Sequence, residues 1–521
     1  MLAPSKAGRD LVQYHSEMHY LTIISELVDT RRSSRVTHIV VEDKEPTTPP
    51  QPQTKSQVRA TIHGLDPIDE EYLNKKSAFS LPPKHCCEAM LQAYFSLAHP
   101  HAPILDPVEF LKSYSSGTFS LFLMQGMLAN AALYAPMPLI ESCGFKSRCE
   151  AIETYFSRAN LLYQFGCERN QLRSLQGSIV LGMTAVTGSF DRDFRYWLHN
   201  AIRDITLILG GVENMRMIHA EDNEVITLPT PESLGDDIPS CYSHLIPPLT
   251  QQQREYFVEY CRLSRIATRC YSILKSHPQD ALGYIETELR LWRASLPESL
   301  QITHRHPQVR SDSIWHMVLM MSSYRFESML FRILKKESGG RDAEISRRAG
   351  LGVRVAIYEL DAIIGRAMAY DMLQMLPMAF ISVVPTVLAL HLELVLSSAE
   401  NDAVKSRSRI YIHQAIVFLQ QCRDLPLIKI ALELVDWALT KQNLLSAEAS
   451  SARQSTIATD VNANLLHQLD AQDRADAEAV DAAGENQEMP DLSVFDVIER
   501  LDEFLELGSM DNTLISDLWQ M

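Results

Sequence analysis

YFVEYCRLSRIATRCYSIL, residues 256–274, carries its apolar side chains three and four positions apart. That spacing puts them on one face of a 3.6-residue helix and leaves the other face wet. The same rhythm recurs on both sides. SLFLMQGMLANAALY (120–134), YFSRANLLYQFG (155–166), LQGSIVLGMTAV (175–186) and RYWLHNAIRDITLIL (195–209) come before it. ALGYIETELRLWRASL (281–296), WHMVLMMSSYRFESMLFRIL (315–334), VRVAIYELDAIIGRAM (353–368), IYIHQAIVFLQQC (410–422) and LIKIALELVDWAL (427–439) come after it. Alternating strand patterns are nearly absent. The expected fold class is therefore all-α, a multi-helix array of about a dozen helices around a shared core. No fixed-period repeat argues for a solenoid.

The helical pattern fills one domain, residues 62–444, with flexible N- and C-terminal segments expected on either side. Residues 1–61 read as an N-terminal segment and linker, partly disordered. One short amphipathic helix is expected there, with Leu11, Met18, Leu21, Ile24 and Val28 on related faces. RRSSR (31–35) has the composition of a nuclear import signal, and TTPPQPQTK (47–55) that of an exposed, partly extended linker. Residues 445–490, rich in Ala, Ser, Asp, Glu and Gln, cannot bury enough apolar surface to order themselves and read as a disordered acidic linker.

The net charge of −17 is unevenly placed. From position 461 onward, 15 acidic residues face two arginines, so the tail carries −13 and the preceding 460 residues only −4. Such a tail repels phosphate backbones and suits basic protein surfaces. Its last part, residues 491–521, is DLSVFDVIERLDEFLELGSMDNTLISDLWQM. Ser493 and Asp496 resemble a capping box, and Val494, Val497, Ile498, Leu501, Phe504 and Leu505 then share one helical face. A second short element sets Leu518 and Trp519 beside Asp517. Acidic residues fill the remaining faces. The disordered lead-in and the terminal position favour an activation segment that folds as it enters a partner's groove over a helix that docks on the body and buries its stripe.

Other classes find little support. The least polar stretch, Met372 to Leu392, is interrupted by Gln374, Pro377, Pro385 and His391, which favours a buried core helix over a membrane span. Nine cysteines lie scattered without a C-x-x-C pair, and reduced thiols are expected. No phosphate-binding glycine loop, nucleophile elbow or H-E-x-x-H occurs, so an enzyme is not expected. FDRDF (190–194), with Asp191, reads as helix capping rather than a metal site. HPHAP (99–103) and HRH (304–306) place His99, His101, His304 and His306 without further ligands at zinc spacing.

The order of several phrases resembles one family. LPPKHCCEAMLQAYFSLAHPHAPILDPVEFL (81–111) is similar to the opening of the fungal-specific transcription factor domain, where a helix precedes an H-P-x-x-P-I-L turn and an aromatic residue. LDPIDEEYLNKKSAF (65–79) resembles the lead-in of its cutinase and acetamidase regulator branch, and LRLWRASLPESLQ (289–301) its L-x-x-W-x-x-x-L-P phrase. The resemblance covers roughly residues 62–440. Residue chemistry agrees: Pro100 and Pro103 fix a turn, Leu105 and Phe110 return to the core, and Trp197 and Trp292 are apolar anchors.

Members of this family normally begin with six cysteines that hold two zinc ions and seat a short helix in the DNA major groove. Here the first cysteine is Cys86, already within the helical region, so no metal or cofactor residue is carried over. After Gly211 the family's arginine- and tryptophan-rich helix has no counterpart; the chain passes to RMIHAEDNEVITLPTP. The resemblance implies a nuclear regulator of transcription by RNA polymerase II, controlling a metabolic or secondary-metabolite gene set. Its expected partners are transcription machinery or co-activators bound through the acidic tail. DNA is a partner only where a zinc module or a second protein supplies the contact; a homodimer is left open and no membrane is expected. The alternative is a helical scaffold or co-regulator that never touches DNA.

Overall fold

A computed structural model describes residues 8–14, 19–28, 36–42, 65–185, 192–208, 228–234, 238–239, 242–301, 313–339, 342–370, 378–398 and 400–425, together with 372, 376, 428, 431 and 432. Two compact units divide the chain, Met1–Ala431 and Leu432–Gln520; apart from Leu432, the described residues belong to the first. The acidic linker and the whole tail lie outside the described residues.

The described residues form the expected all-α array, with one addition at the N-terminus. Strands β1 (Gly8–Tyr14) and β2 (Val36–Glu42) pair antiparallel, Gly8 opposite Glu42 and Tyr14 opposite Val36. Helix α1 (Tyr20–Val28) lies between them in sequence. This corrects the sequence reading in one respect: Leu11 faces Ile39 in the ribbon, and the helix starts only at Tyr20. The β-branched run around Val36, Ile39, Val40 and Val41 prefers a pleated partner, and the segment before Tyr20 supplies it.

Then come α2 (Pro67–Lys75), α3 (Lys84–Ala93), α4 (Pro107–Ser116), α5 (Leu121–Ala131), α6 (Met137–Ser142), α7 (Arg148–Gln164), α8 (Gln171–Ala185) and α9 (Phe194–Ile208). After a described turn at Pro231–Leu234 follow α10 (Gln251–Ser276), α11 (Pro278–Ala294), α12 (Ser313–Ser338), α13 (Ala343–Ala369), α14 (Met378–Ile381), α15 (Val384–Leu396) and α16 (Asp402–Gln421). Local chemistry sets many of the starts. Asp66, Asp106, Ser120, Ser147, Asp342 and Asn401 each accept a hydrogen bond from a first-turn N–H of the helix that follows. At α10 the cap is reciprocal: Thr250 accepts from the Gln253 N–H, and the Gln253 side chain accepts from the Thr250 N–H.

Two helices carry the interior. In the N-terminal half α5 is buried over its full length, packed on α7 and α8. Gly177 lets α8 approach so closely that a Cβ there would lie 2.2 Å from a ring carbon of Phe122. In the C-terminal half the buried helix is α15, sheathed by α1, α13 and α16. It is the stretch that sequence alone left between core helix and membrane span. Pro385 sits in its first turn, where a missing N–H costs nothing. No helix among the described residues is long and apolar enough to cross a membrane.

Candidate functional site

The HPHAP segment is one place where the two halves meet. Helix α3 runs into a π-helical turn, Tyr94–Ala98, and then a tight 3-10 turn, His99–His101. Asp106 restarts the chain by capping α4. As the sequence implied, Leu105 and Phe110 return to the core. The turn presents His101 to α10 and α12: its Nδ1 lies 2.7 Å from the Tyr256 hydroxyl, and its ring is 5.2 Å from those of Tyr256 and Trp315.

Burial fixes the protonation here. It pushes His99 down to about 4 and His101 down to about 3, so both are neutral at pH 7. Burial also holds the Tyr256 hydroxyl well above its ordinary value, so that hydroxyl keeps its proton and shares its hydrogen bond with a neutral imidazole. His101 Nε2 is buried with no hydrogen-bond partner among the described residues.

Both tryptophans are anchors, in different ways. Trp197 is fully buried among Phe122, Phe156, Tyr163 and Tyr196. Trp292 also bonds: its indole N–H donates to Glu259 Oε2 at 3.0 Å, tying α11 to α10. Glu259 is 2% exposed, and its other oxygen accepts from Arg262 at 2.6 Å.

A second charged cluster closes the N-terminus onto the body. Arg332 on α12 is paired at 2.6 Å with Glu393 of α15 and at 2.5 Å with Glu26 of α1. Lys336 also reaches Glu26. Burial pushes the Glu26 carboxyl up, but hydrogen bonds from Lys336 and Arg332 outweigh it and hold the group below the usual range. Seven residues before Arg332, on the same face of α12, stands Arg325. Its Nε is buried without a hydrogen-bond partner, and among the described residues no carboxylate pairs with it.

Sequence reasoning singled out neither arginine, nor Glu259. The available signal was position: Glu259 and Arg325 each fall on the apolar stripe of a long helix, where a charge has to be explained. The residues it did single out fare unevenly. Val494, Val497, Ile498, Leu501, Phe504, Leu505, Leu518 and Trp519 lie outside the described residues, as do Asp191, His304 and His306. Asp193 of the FDRDF loop accepts from the Tyr196 N–H, which is a capping role. Among the described residues no group of three or more His, Cys, Asp or Glu is placed to hold a metal ion.

The fungal specific transcription factor domain matches residues 91–209, from α3 through α9. The fusaric acid cluster transcription factor of Gibberella fujikuroi is 31% identical to the chain, over 86% of it and 72% of its own length. The chain belongs to the fungal-specific transcription factor domain family. The corresponding factor of Gibberella moniliformis is 31% identical over 87% of the chain and 73% of its own length. Cutinase transcription factor 1 alpha of Fusarium vanettenii is 29% identical over a smaller share, 34% of the chain and 18% of its own length. No solved structure matches. Within the family domain, the HPHAP turn and Trp197 are the structural anchors described above.

Proposed function

We propose that this chain regulates transcription by RNA polymerase II in a fungal nucleus and controls a metabolic or secondary-metabolite gene cluster. The observation that carries this is the similarity along 86% of the chain to a transcription factor named for a biosynthetic cluster. The helical body does no chemistry in this reading; it holds shape and receives signals. Output runs through the acidic tail, whose face of Val494, Val497, Ile498, Leu501, Phe504 and Leu505, continued by Leu518 and Trp519, enters a groove on a co-activator.

Deleting the gene and sequencing transcripts tests the first part: a set of neighbouring biosynthetic genes should fall together, and an unchanged transcriptome would sink the proposal. Replacing Val497, Leu501 and Phe504 with alanine tests the second. Reporter output should drop while the body unfolds at its normal temperature. Chromatin immunoprecipitation should enrich the affected promoters. Changed transcripts without enrichment would make the chain a co-regulator that acts away from DNA.

A further inference from the structure

Most of the large apolar side chains that the body exposes stand singly or in pairs, which is ordinary for a protein surface. Helix α9 is different. Phe194, Leu198 and Ile202 follow at four-residue steps and are 43%, 44% and 41% exposed. Among the described residues no other helix opens three large apolar side chains in one row. Their spacing keeps them on one face, away from the buried Trp197, Ala201 and Asp204. Helix α8 widens the row. The two helices run antiparallel: Ser174 donates to Asp204 at 2.7 Å, and a Cβ at Gly182 would meet Trp197 Cβ at 3.5 Å and the Phe194 ring at 3.6 Å. That register brings Met183 level with Phe194, Ile179 with Leu198 and Leu175 with Ile202. All three α8 side chains are part-exposed, and Leu172 beyond them is 49% exposed. Such a contiguous apolar face marks an interaction site.

Charge borders the face on one side. Arg195, His199 and Arg203 each follow a member of the α9 row by one residue, so they form a basic edge parallel to it. The one carboxylate within either helix, Asp204, is 3% exposed and bonded to Ser174 and Arg203. An apolar face with a basic border and no exposed acid of its own suits an amphipathic helix with an acidic flank. Size points the same way. Each helix has 15 residues, about 22 Å of length, and two abreast are about 20 Å across, roughly 450 Å² in all. A stable dimer takes about 800 Å² from each copy, and a second copy would bring no acid to the basic edge. We propose that the α8–α9 face receives one acidic amphipathic helix of a partner protein. Its apolar stripe lies along Leu198 and Ile179, and its acidic flank along Arg195, His199 and Arg203. This contact goes beyond the transcriptional reading, because binding is measured on the full chain in solution and a failed reporter assay would leave it standing.

The test titrates the full chain into a fluorescein-labelled helical peptide of about 15 residues, with leucine along one face, glutamate on one flank and glutamine elsewhere. A twin peptide carries lysine in place of each glutamate. Anisotropy should show saturable binding of the glutamate peptide, weakened by salt, and the lysine peptide should bind at least about tenfold more weakly. Leu198→Asp and, on the other helix, Leu172→Asp should each cut affinity at least about tenfold. The melting temperature should hold in both, because these side chains already stand partly in water. Absence of saturable binding to the unaltered chain would overturn the proposal. So would equal binding of the two peptides, or full binding by either variant at a normal melting temperature. Sedimentation supplies the last check: a dimer that Leu198→Asp dissolves would put a second copy on the face and overturn the partner helix.

Discussion

Arg325 and Arg332 stand two turns apart on one helix, and they have opposite surroundings. Arg332 is clamped between Glu26 and Glu393, carboxylates drawn from the N-terminal helix and the central helix. Arg325 faces a tyrosine and no carboxylate. The first has its charge neutralised by the chain itself and so fastens the fold. The second is only partly buried and keeps contact with water. A charge needs partners built into the chain where water is excluded, and can do without them where water still reaches it.

Breaking the clamped side should have the largest effect. Arg332→Met takes the Arg332 partner from Glu393 and leaves Glu26 with Lys336, and the loss should be about 3–5 kcal/mol in urea unfolding. An effect below about 1 kcal/mol would mean that Glu26 and Glu393 find water instead. Trp292→Phe is next. It strips one donor from the buried Glu259 and should cost about 1–3 kcal/mol by the same measurement.

Acid sharpens the contrast further. His99 and His101 are held neutral below their ordinary value of 6.5, so the unfolded chain binds protons first as pH falls. Their contribution is complete above pH 6.5 and is lost on descent toward about 4 and about 3, each with a slope of up to roughly 1.4 kcal/mol per pH unit. Glu26 acts in a lower window. Its folded value is depressed below 4.5, so its contribution is present above that value and disappears as pH falls through the folded value. Unfolding followed from pH 7 to pH 4 should show the histidine slope, and His101→Gln should flatten it. The smallest effect belongs to Lys336→Met. That lysine is 58% exposed, and its pair with Glu26 should be worth less than about 1 kcal/mol.

Much of the fold was legible because its signals are local. Apolar stripes three and four residues apart located the helices; the caps at Asp106 and Thr250 were equally local signals but were not singled out. The central helix was legible as apolar, and its prolines and His391 pointed to the buried core helix that Val384–Leu396 forms. The ribbon was missed, because Leu11 fits a helical spacing until the valine-rich strand claims it. The clamp was beyond reach of periodicity: nothing near Glu26 in sequence points to Arg332. Of the site, the HPHAP turn was visible through its prolines, but its contact with Tyr256 depends on how two distant helices pack.

That distance has a consequence for biogenesis. Glu26 leaves the ribosome 306 residues ahead of Arg332. At roughly 5–20 residues per second, α1 waits about 15–60 s for the surface that will cover Ile23 and Ile24. A helix made this early is thus among the later ones to be seated, and through that interval its apolar side is open to chaperones.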